Sequence, residues 1–382
     1  MTLLSRAALG LDLPPARVVH LGLGNFHRAH QAWYTEHADD RADWGIAGFT
    51  VRGPATAERL AAQDGLYSLI ERGPQTDAVS VIGSLVEAHA GDAPRFAELL
   101  AARSTSVVTL TITEAGYRHA DRVPPLALSR LVNGLEARRW ADAGSLAIVS
   151  CDNLPANGAV TRSVMMELAT ALDRSLAGWI DEYVSFVSTS VDRITPHLTQ
   201  AELDELRTAS GWDDAAPVVT EPFSDWVLEG AFPGGRPQWE GAGARFVDDV
   251  EPFERRKLWL LNGAHTILAA SGAARGHATV AAAIADPACL ALVEGFWQEA
   301  AHHLNEPGLE IGGYRAELLR RFANPRIAHR LTDIADQAPT KVRVRLLPVL
   351  RAELAAGRNG AATLRALADA PDLLAILKEE SR

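Results

Sequence analysis

The chain has 382 residues, of which 47% are hydrophobic and 22% charged, and its formal net charge is -11. That length favours two domains over one, and the acidic balance argues against a nucleic-acid partner or an anionic membrane. Cys151 and Cys289 are the only cysteines, which excludes a disulfide scaffold or a cysteine metal cluster and fits a reducing compartment. No run approaches the roughly 20 apolar residues that cross a bilayer, and the start shows no cleavage-site pattern, so the expected location is the cytoplasm.

In chain order, residues 18–21 read as a short buried strand. Gly22-Leu23-Gly24-Asn25-Phe26-His27-Arg28-Ala29-His30 follows, and 31–38 continues with helical character. This is strand, glycine turn, helix. Gly22 permits the turn, Gly24 lets the backbone approach a pyrophosphate, and the helix N-terminus beginning near Asn25 and Phe26 offers N–H groups to an anion. The third glycine of the usual fingerprint is replaced by His27, and a simple turn explains a lone Gly-x-Gly equally well. Residues 44–51 read as the second strand. No acid stands at its end to hold a ribose 2′-hydroxyl; Arg52 is nearby instead, which leaves NAD and NADP both open. Arg52 also reads as a solvated loop residue.

Residues 79–82 and 107–113 read as further strands, the second rich in β-branched side chains as a buried parallel strand should be. A polar turn, Glu114-Ala115-Gly116-Tyr117, follows, then a helix over 124–139 and a strand over 146–150. Ligands of an open α/β sheet sit beyond strand C-termini. Asn153, in Cys151-Asp152-Asn153-Leu154-Pro155-Ala156-Asn157-Gly158, is therefore a candidate to contact substrate or cofactor. A turn asparagine bonded to its own backbone is the alternative. Helix is expected over 158–176 and a strand over 184–190, running into Val191-Asp192-Arg193-Ile194-Thr195-Pro196. A short helix over 200–210 and a strand, turn and short strand over 218–229 precede a loop at 232–237 and an edge strand at 244–247.

The domain boundary is placed just after that edge strand. The expected fold is α/β: a Rossmann-type dinucleotide-binding domain with an extension over 1–248, then a mainly α-helical substrate-binding and catalytic domain over 249–382. Helical patterns cover 251–273, 277–285, 286–301, 311–322, 327–335, 341–355, 361–370 and 371–381.

The stretch Lys257-Leu258-Trp259-Leu260-Leu261-Asn262-Gly263-Ala264-His265 is apolar enough to be a buried helix, yet it holds three polar groups. On an α-helix Asn262 lies roughly 140° round from Lys257, with His265 between them at roughly 80° and Glu254 in the same arc. Burying such groups unpaired costs on the order of 2–7 kcal/mol each, so they are paired or used. A helix end with Lys257 snorkelling beside Arg255 and Arg256 is the alternative. A basic region, Arg320, Arg321, Arg330, Lys341, Arg343 and Arg345, fits an anionic substrate; helix-end charges and ordinary salt bridges give the same composition.

Several separated segments together resemble the long-chain mannitol dehydrogenases, which include mannitol 2-dehydrogenase, arabinitol 4-dehydrogenase, fructuronate reductase and tagaturonate reductase. They are Gly22-x-Gly24-x-Phe26-His27-Arg28-Ala29-His30, Thr113-Glu114-x-Gly116-Tyr117, Cys151-Asp152-Asn153 with Asn157-Gly158, and Val191-Asp192-Arg193-Ile194-Thr195-Pro196. Lys257-x4-Asn262-Gly263-x-His265 and Arg321-Phe322-x-Asn324-Pro325 complete the set. The resemblance implies a dinucleotide-binding domain plus a mainly helical one, NAD as cofactor with NADP not excluded, and no metal. It implies Lys257 as the catalytic lysine, its pKa lowered by partial burial and by Arg255 and Arg256. Asn153 and Asn262 become the amides that hold the reacting oxygen, His265 the histidine that orients substrate, and Glu254 the acid beside the lysine.

The resemblance makes Lys341 a substrate-contacting lysine and Asp192 an acid near the active site. Gly22, Gly24, Asn25, Phe26, Arg52, Glu114 and Asp192 are expected around the cofactor. The implied reaction is reversible hydride transfer of the D-mannitol to D-fructose type. A fructuronate reductase, with Arg330, Lys341 or Arg343 meeting a substrate carboxylate, is the alternative within the class, and a non-catalytic nucleotide-binding protein the alternative outside it. The expected partner is a small polyol, ketose or sugar acid, with monomer and dimer both open. Departures bear on the substrate: the chain is shorter than most members, Asp333 stands where the mannitol enzymes often carry arginine, and Gln337-Ala338-Pro339-Thr340-Lys341 replaces Asp-Gly-Ser-x-Lys. The phrase Asn324-Pro325-x3-His329-Arg330 is nearer the uronate reductases.

Overall fold

The computed structural model describes residues 2–118, 125–327, 329–335 and 338–368. Its contacts divide into two compact units: Met1–Arg72 with Asp77–Val250, and Gly73–Thr76 with Glu251–Arg382. The first is a Rossmann-type α/β domain and the second is mainly helical.

The first unit is built on eleven strands: β1 (Ala16–Leu21), β2 (Gly45–Phe49), β3 (Tyr67–Arg72), β4 (Asp77–Ile82), β5 (Leu85–His89), β6 (Val107–Leu110), β7 (Leu146–Ser150), β8 (Val184–Asp192), β9 (Val218–Thr220), β10 (Asp225–Glu229) and β11 (Arg245–Phe246). Eight form one sheet in the order β11-β10-β8-β7-β6-β1-β2-β5. From β5 to β8 every pairing is parallel; β10 then runs antiparallel to β8, and β11 lies parallel to β10 at the edge. Parallel strands covered on both faces read as unbroken apolar runs, and β2, β6 and β7 are buried along their whole length. Alternate residues feed opposite faces, as the period of two requires: Val18, Val107 and Val149 join one apolar cluster, and Val19, Val108 and Ile148 the other.

The chain lays β2 and β5 on one side of β1, then returns to lay β6, β7 and β8 on the other. This reversal leaves a crevice beyond the carboxyl ends of β1 and β6, where ligands of such sheets bind. Residues 79–82 do form a strand, but it belongs to a separate three-stranded sheet, β4-β3-β9. The helix expected over 158–176 is two helices, Asn157–Leu172 and Arg174–Tyr183. Asp173 takes an extended conformation between them and accepts from the Ser175 N–H, so a side-chain cap ends one helix and starts the next.

The missing third glycine also has a physical account. In the usual fingerprint that glycine lets helix and strand pack closely. Here His27 is fully buried and stacks on His20 of β1, with ring centroids 3.4 Å apart and planes 12° from parallel. Two flat rings fill the space that a small residue would otherwise close. His20 is held at both nitrogens, by the hydroxyls of Thr109 at 2.8 Å and Thr111 at 3.0 Å.

The second unit opens with three consecutive segments of one helical run, Glu251–Arg256, Lys257–Gly263 and Ala264–Ala274, the middle one π-helical. Helices Val280–Ile284, Pro287–Ala301, Ile311–Phe322, Leu331–Ala335, Ala338–Arg345, Leu347–Ala355 and Ala361–Leu367 pack around it. The helix expected over 371–381 and residue Gln337 lie outside the described residues.

Burial pushes His20 down to about 3 and His27 well below the ordinary imidazole value. Both are neutral in the folded protein, while the unfolded chain takes up protons on each near pH 6.5. The unfolded state therefore binds more protons below about pH 6.5, and stability falls with pH, each histidine steepening the fall by up to about 1.4 kcal/mol per pH unit. We expect the melting temperature to drop between pH 7 and pH 5, and His27→Phe, which keeps a stacking ring without a titrating group, to flatten that slope. Circular dichroism melts across the range check it; an unaltered slope in the variant would contradict the stack's role.

Candidate active site

In the first unit a cleft of about 420 Å³ lies over the sheet reversal, lined by the turn after β1 (Gly22, Leu23), the end of β2 (Thr50, Arg52) and the loop after β6 (Thr111, Thr113). Gly22 has φ +108°, and a Cβ there would stand 2.1 Å from the Thr111 carbonyl oxygen. No side chain fits on either count. Gly24 is the extended N-cap of the helix Asn25–Ala29. Arg52 and Arg118 both line the cleft.

Other residues expected around the cofactor sit differently. The Asn25 amide oxygen accepts from Arg28 at 2.7 Å, and Phe26 stacks on His30 at 5.0 Å, so both are used within the fold. Glu114, which opens the turn Glu114–Tyr117, forms an exposed ion pair with Arg118. Asp192 is buried at the carboxyl end of β8.

Asn153 is exposed just past β7, at the sheet end where ligands bind. Its neighbours do the bracing. Asp152 is buried, and its carboxylate accepts from the backbone N–H groups of Ile112 at 3.1 Å and Thr113 at 2.7 Å and from the Tyr117 hydroxyl at 2.7 Å. Thr113 has φ +65°, a strained conformation for a β-branched residue costing on the order of 1–3 kcal/mol. The charge-assisted bond from its N–H holds it there. Asn157 donates to the carbonyls of Asp152 and Thr189 and accepts from the Thr189 N–H, tying the loop to β8. These two roles escaped the sequence reading; the string Asp152-Asn153-x3-Asn157-Gly158 was the available signal.

In the second unit Lys257 opens the π-helical segment and Asn262 lies five residues on. A straight α-helix would splay the two side chains, as reckoned above. A π-helix bonds residue i to i+5, so residues five apart stack on one side. The wider turn thus brings Lys257 and Asn262 onto a common face, a closer alignment than the α-helical arc. Packing fits the width: Leu260 and Leu261 are buried, the Trp297 indole donates to the Leu260 carbonyl at 2.8 Å, and a Cβ on Gly263 would stand 2.6 Å from the Phe296 ring. Glu254 lies one turn earlier, in the helix Glu251–Arg256.

His265 begins the next turn. It is 7% exposed, and its ring meets Phe322 at 4.8 Å and His329 at 4.7 Å. Its Nε2 has no hydrogen-bond partner among the described residues. Burial, then the neighbouring His329, Arg321 and Arg345, hold it well below the usual imidazole value, so the ring is neutral. Of the expected substrate contacts, Arg330 is exposed and the Lys341 amine donates to the Ile334 carbonyl at 2.8 Å. Arg345, which the sequence reading left within a basic stretch, donates to the Asn262 carbonyl at 3.4 Å and the Thr266 hydroxyl at 3.1 Å.

One group among the described residues, His277, Asp286 and Cys289, has ligand-type atoms within 4.8 Å of one another. Asp286 already accepts from Arg275 at 2.6 Å and from the Ala288 N–H at 2.9 Å. It is a helix cap with an ion pair.

Comparison with known proteins matches residues 16–241 to the mannitol dehydrogenase Rossmann domain and residues 249–370 to the mannitol dehydrogenase C-terminal domain. The D-mannonate oxidoreductase of Escherichia coli (strain K12) is 36% identical over 371 residues, covering 90% of this chain and 76% of that protein. A D-sorbitol dehydrogenase in substrate-free form superposes with a TM-score of 0.88 at 32% identity, covering 96% of this chain and 85% of the other. The Pseudomonas fluorescens mannitol 2-dehydrogenase, in a ternary complex with NAD and D-mannitol, gives 0.82 at 32% identity, covering 100% of this chain and 89% of the other. The chain belongs to the mannitol dehydrogenase family, oxidoreductases that move a hydride between a nicotinamide dinucleotide and a polyol or sugar.

Proposed function

We propose that this chain reversibly oxidises a secondary alcohol carbon of a linear polyhydroxylated substrate, in the manner of D-mannitol to D-fructose, with Lys257 as general acid and base. The observation that supports the reading is the π-helical span Lys257–Gly263, whose wider turn brings Lys257 and Asn262 nearer one another than an α-helix would, followed by a buried neutral imidazole, His265. A bound nicotinamide supplies the hydride acceptor. Lys257 takes the hydroxyl proton as the carbon–hydrogen electron pair leaves and the carbonyl forms, and it returns the proton in the reverse direction. Asn262 and Asn153 donate to the developing alkoxide, each worth roughly 3–4 kcal/mol if removed. His265 offers a neutral ring to a substrate hydroxyl, and Glu254 carries the proton between Lys257 and solvent.

Gly22, the Gly24-capped helix start and Arg52 are the residues to hold the dinucleotide. Among the described residues, the lining of the cleft includes two guanidinium groups, Arg52 and Arg118, and no carboxylate. The two guanidinium groups suit a 2′-phosphate, so this reading admits NADP beside the NAD that the family pattern suggests. The sugar-acid alternative is favoured by a separate observation, the surroundings of Arg345.

Lys257→Ala is expected to lower kcat by at least about 10³-fold with dinucleotide affinity nearly unchanged, read by steady-state kinetics and fluorescence titration with NADH. Turnover at the wild-type rate would end the assignment. In the same titration we expect the wild type to bind NADPH at least as well as NADH, and Arg52→Glu to weaken NADPH by at least about 10-fold while sparing NADH. Equal losses for both dinucleotides would remove Arg52 from the 2′-phosphate.

A further inference from the structure

The guanidinium of Arg345 is out of place for a neutral substrate. Its Nη1 makes two bonds, to the Asn262 carbonyl and the Thr266 hydroxyl. Its Nε is buried and has no hydrogen-bond partner, and no carboxylate pairs with it among the described residues. Other arginines of the same unit are matched with acids: Arg255 with Glu306, Arg275 with Asp286, Arg320 with Glu317 and Arg358 with Glu353. Burial pulls Arg345 down to about 10 with no acid opposing the shift. A cation left without a counter-ion in a desolvated place is destabilising by several kcal/mol, and proteins keep such groups where a ligand completes the pair.

The place is defined by the site itself. Arg345 bonds to the backbone of Asn262 and to Thr266, the residue after His265. His265, nine-tenths buried with an unpartnered Nε2, feels the positive charges of Arg321 and Arg345. His329, its ring centroid 4.7 Å from that of His265, adds a second buried nitrogen, Nδ1, without a partner among the described residues. Asp333 acts on His329, but no carboxylate among the described residues acts on His265 or Arg345, which leaves the counter-ion of Arg345 to come from outside. A guanidinium whose Nε has no partner among the described residues is suited to a carboxylate. A polyol brings only hydroxyls and leaves the charge uncompensated.

Resting on the oxidoreductase reading above, we infer that Arg345 binds a substrate carboxylate, so that the preferred substrate is a linear sugar acid, a hydroxy-carboxylate in one direction and its keto-carboxylate in the other. Arg330, at the surface, and Lys341, bonded to the Ile334 carbonyl, are not its carboxylate partners.

The test compares D-fructuronate with D-fructose as oxidants of NADH and NADPH. The expected result is a kcat/KM for the acid on the order of 100-fold or more above that for the neutral ketose. Arg345→Gln should erase that preference by raising KM for the acid at least about 10-fold more than KM for fructose, with dinucleotide affinity within about twofold. Arg345→Lys, which keeps the charge but loses the planar fork, should fall between, and Arg330→Ala should match the wild type. A wild-type enzyme that reduces both ketoses equally well, or an Arg345→Gln variant that loses both in parallel, overturns the carboxylate assignment and leaves the oxidoreductase reading standing. No turnover of either substrate, with dinucleotide still bound, overturns that reading as well. Should Arg345→Gln not fold, protection of the wild type from thermal unfolding by D-mannonate but not by D-mannitol supports the inference, and equal protection refutes it.

Discussion

The second unit depends on one widened stretch of helix. Between Lys257 and Gly263 the backbone takes the i to i+5 spacing, an uncommon form that neighbours must stabilise. The Trp297 indole satisfies the Leu260 carbonyl, and the absence of a side chain at Gly263 lets Phe296 approach. Remove the widening and Lys257 and Asn262 would turn away from each other. The polar face to which the proposed acid–base chemistry is assigned is therefore a product of backbone geometry as much as of residue identity.

The first unit solves a different problem, that of holding loops still beyond the ends of parallel strands. Buried polar groups do it, each with its partners. Asp152 gathers three donors from the loop after β6, and Asn157 joins the Asp152 carbonyl to β8. Such networks stabilise a single arrangement because leaving any member unpaired is costly. Asn153, between these two braces in sequence, is left exposed at the sheet's carboxyl end.

Much of this was legible from residue order. β2, β6 and β7 announce themselves because a strand buried on both faces is apolar throughout. β3 and β5 were not foreseen, since Tyr67-Ser68-Leu69-Ile70-Glu71-Arg72 and Leu85-Val86-Glu87-Ala88-His89 mix polar and apolar side chains. The break at Asp173 was overlooked because the apolar pattern continues across it, and only the cap ends the helix. The π-helical width left no trace, because seven residues are too few for periodicity to separate it from an ordinary turn. Lys257, Asn262 and His265 stood out by type. Arg345 did not: within Lys341-Val342-Arg343-Val344-Arg345 every cation looks alike, and only the fold shows Arg345 bonded to the Asn262 carbonyl and the Thr266 hydroxyl.

The bonds around His20 have a direction. The Thr111 hydroxyl gives its hydrogen to the Gly22 carbonyl, so toward His20 it can only accept. Nε2 of His20 must then carry the ring hydrogen, and Nδ1 must receive one from Thr109. A threonine, an imidazole, a second threonine and the turn's own carbonyl form a one-way relay with no slot for an added proton. The glycine turn proposed to face a dinucleotide is thus electrically quiet behind: its shape is held by hydroxyls whose orientation is settled before any anion arrives.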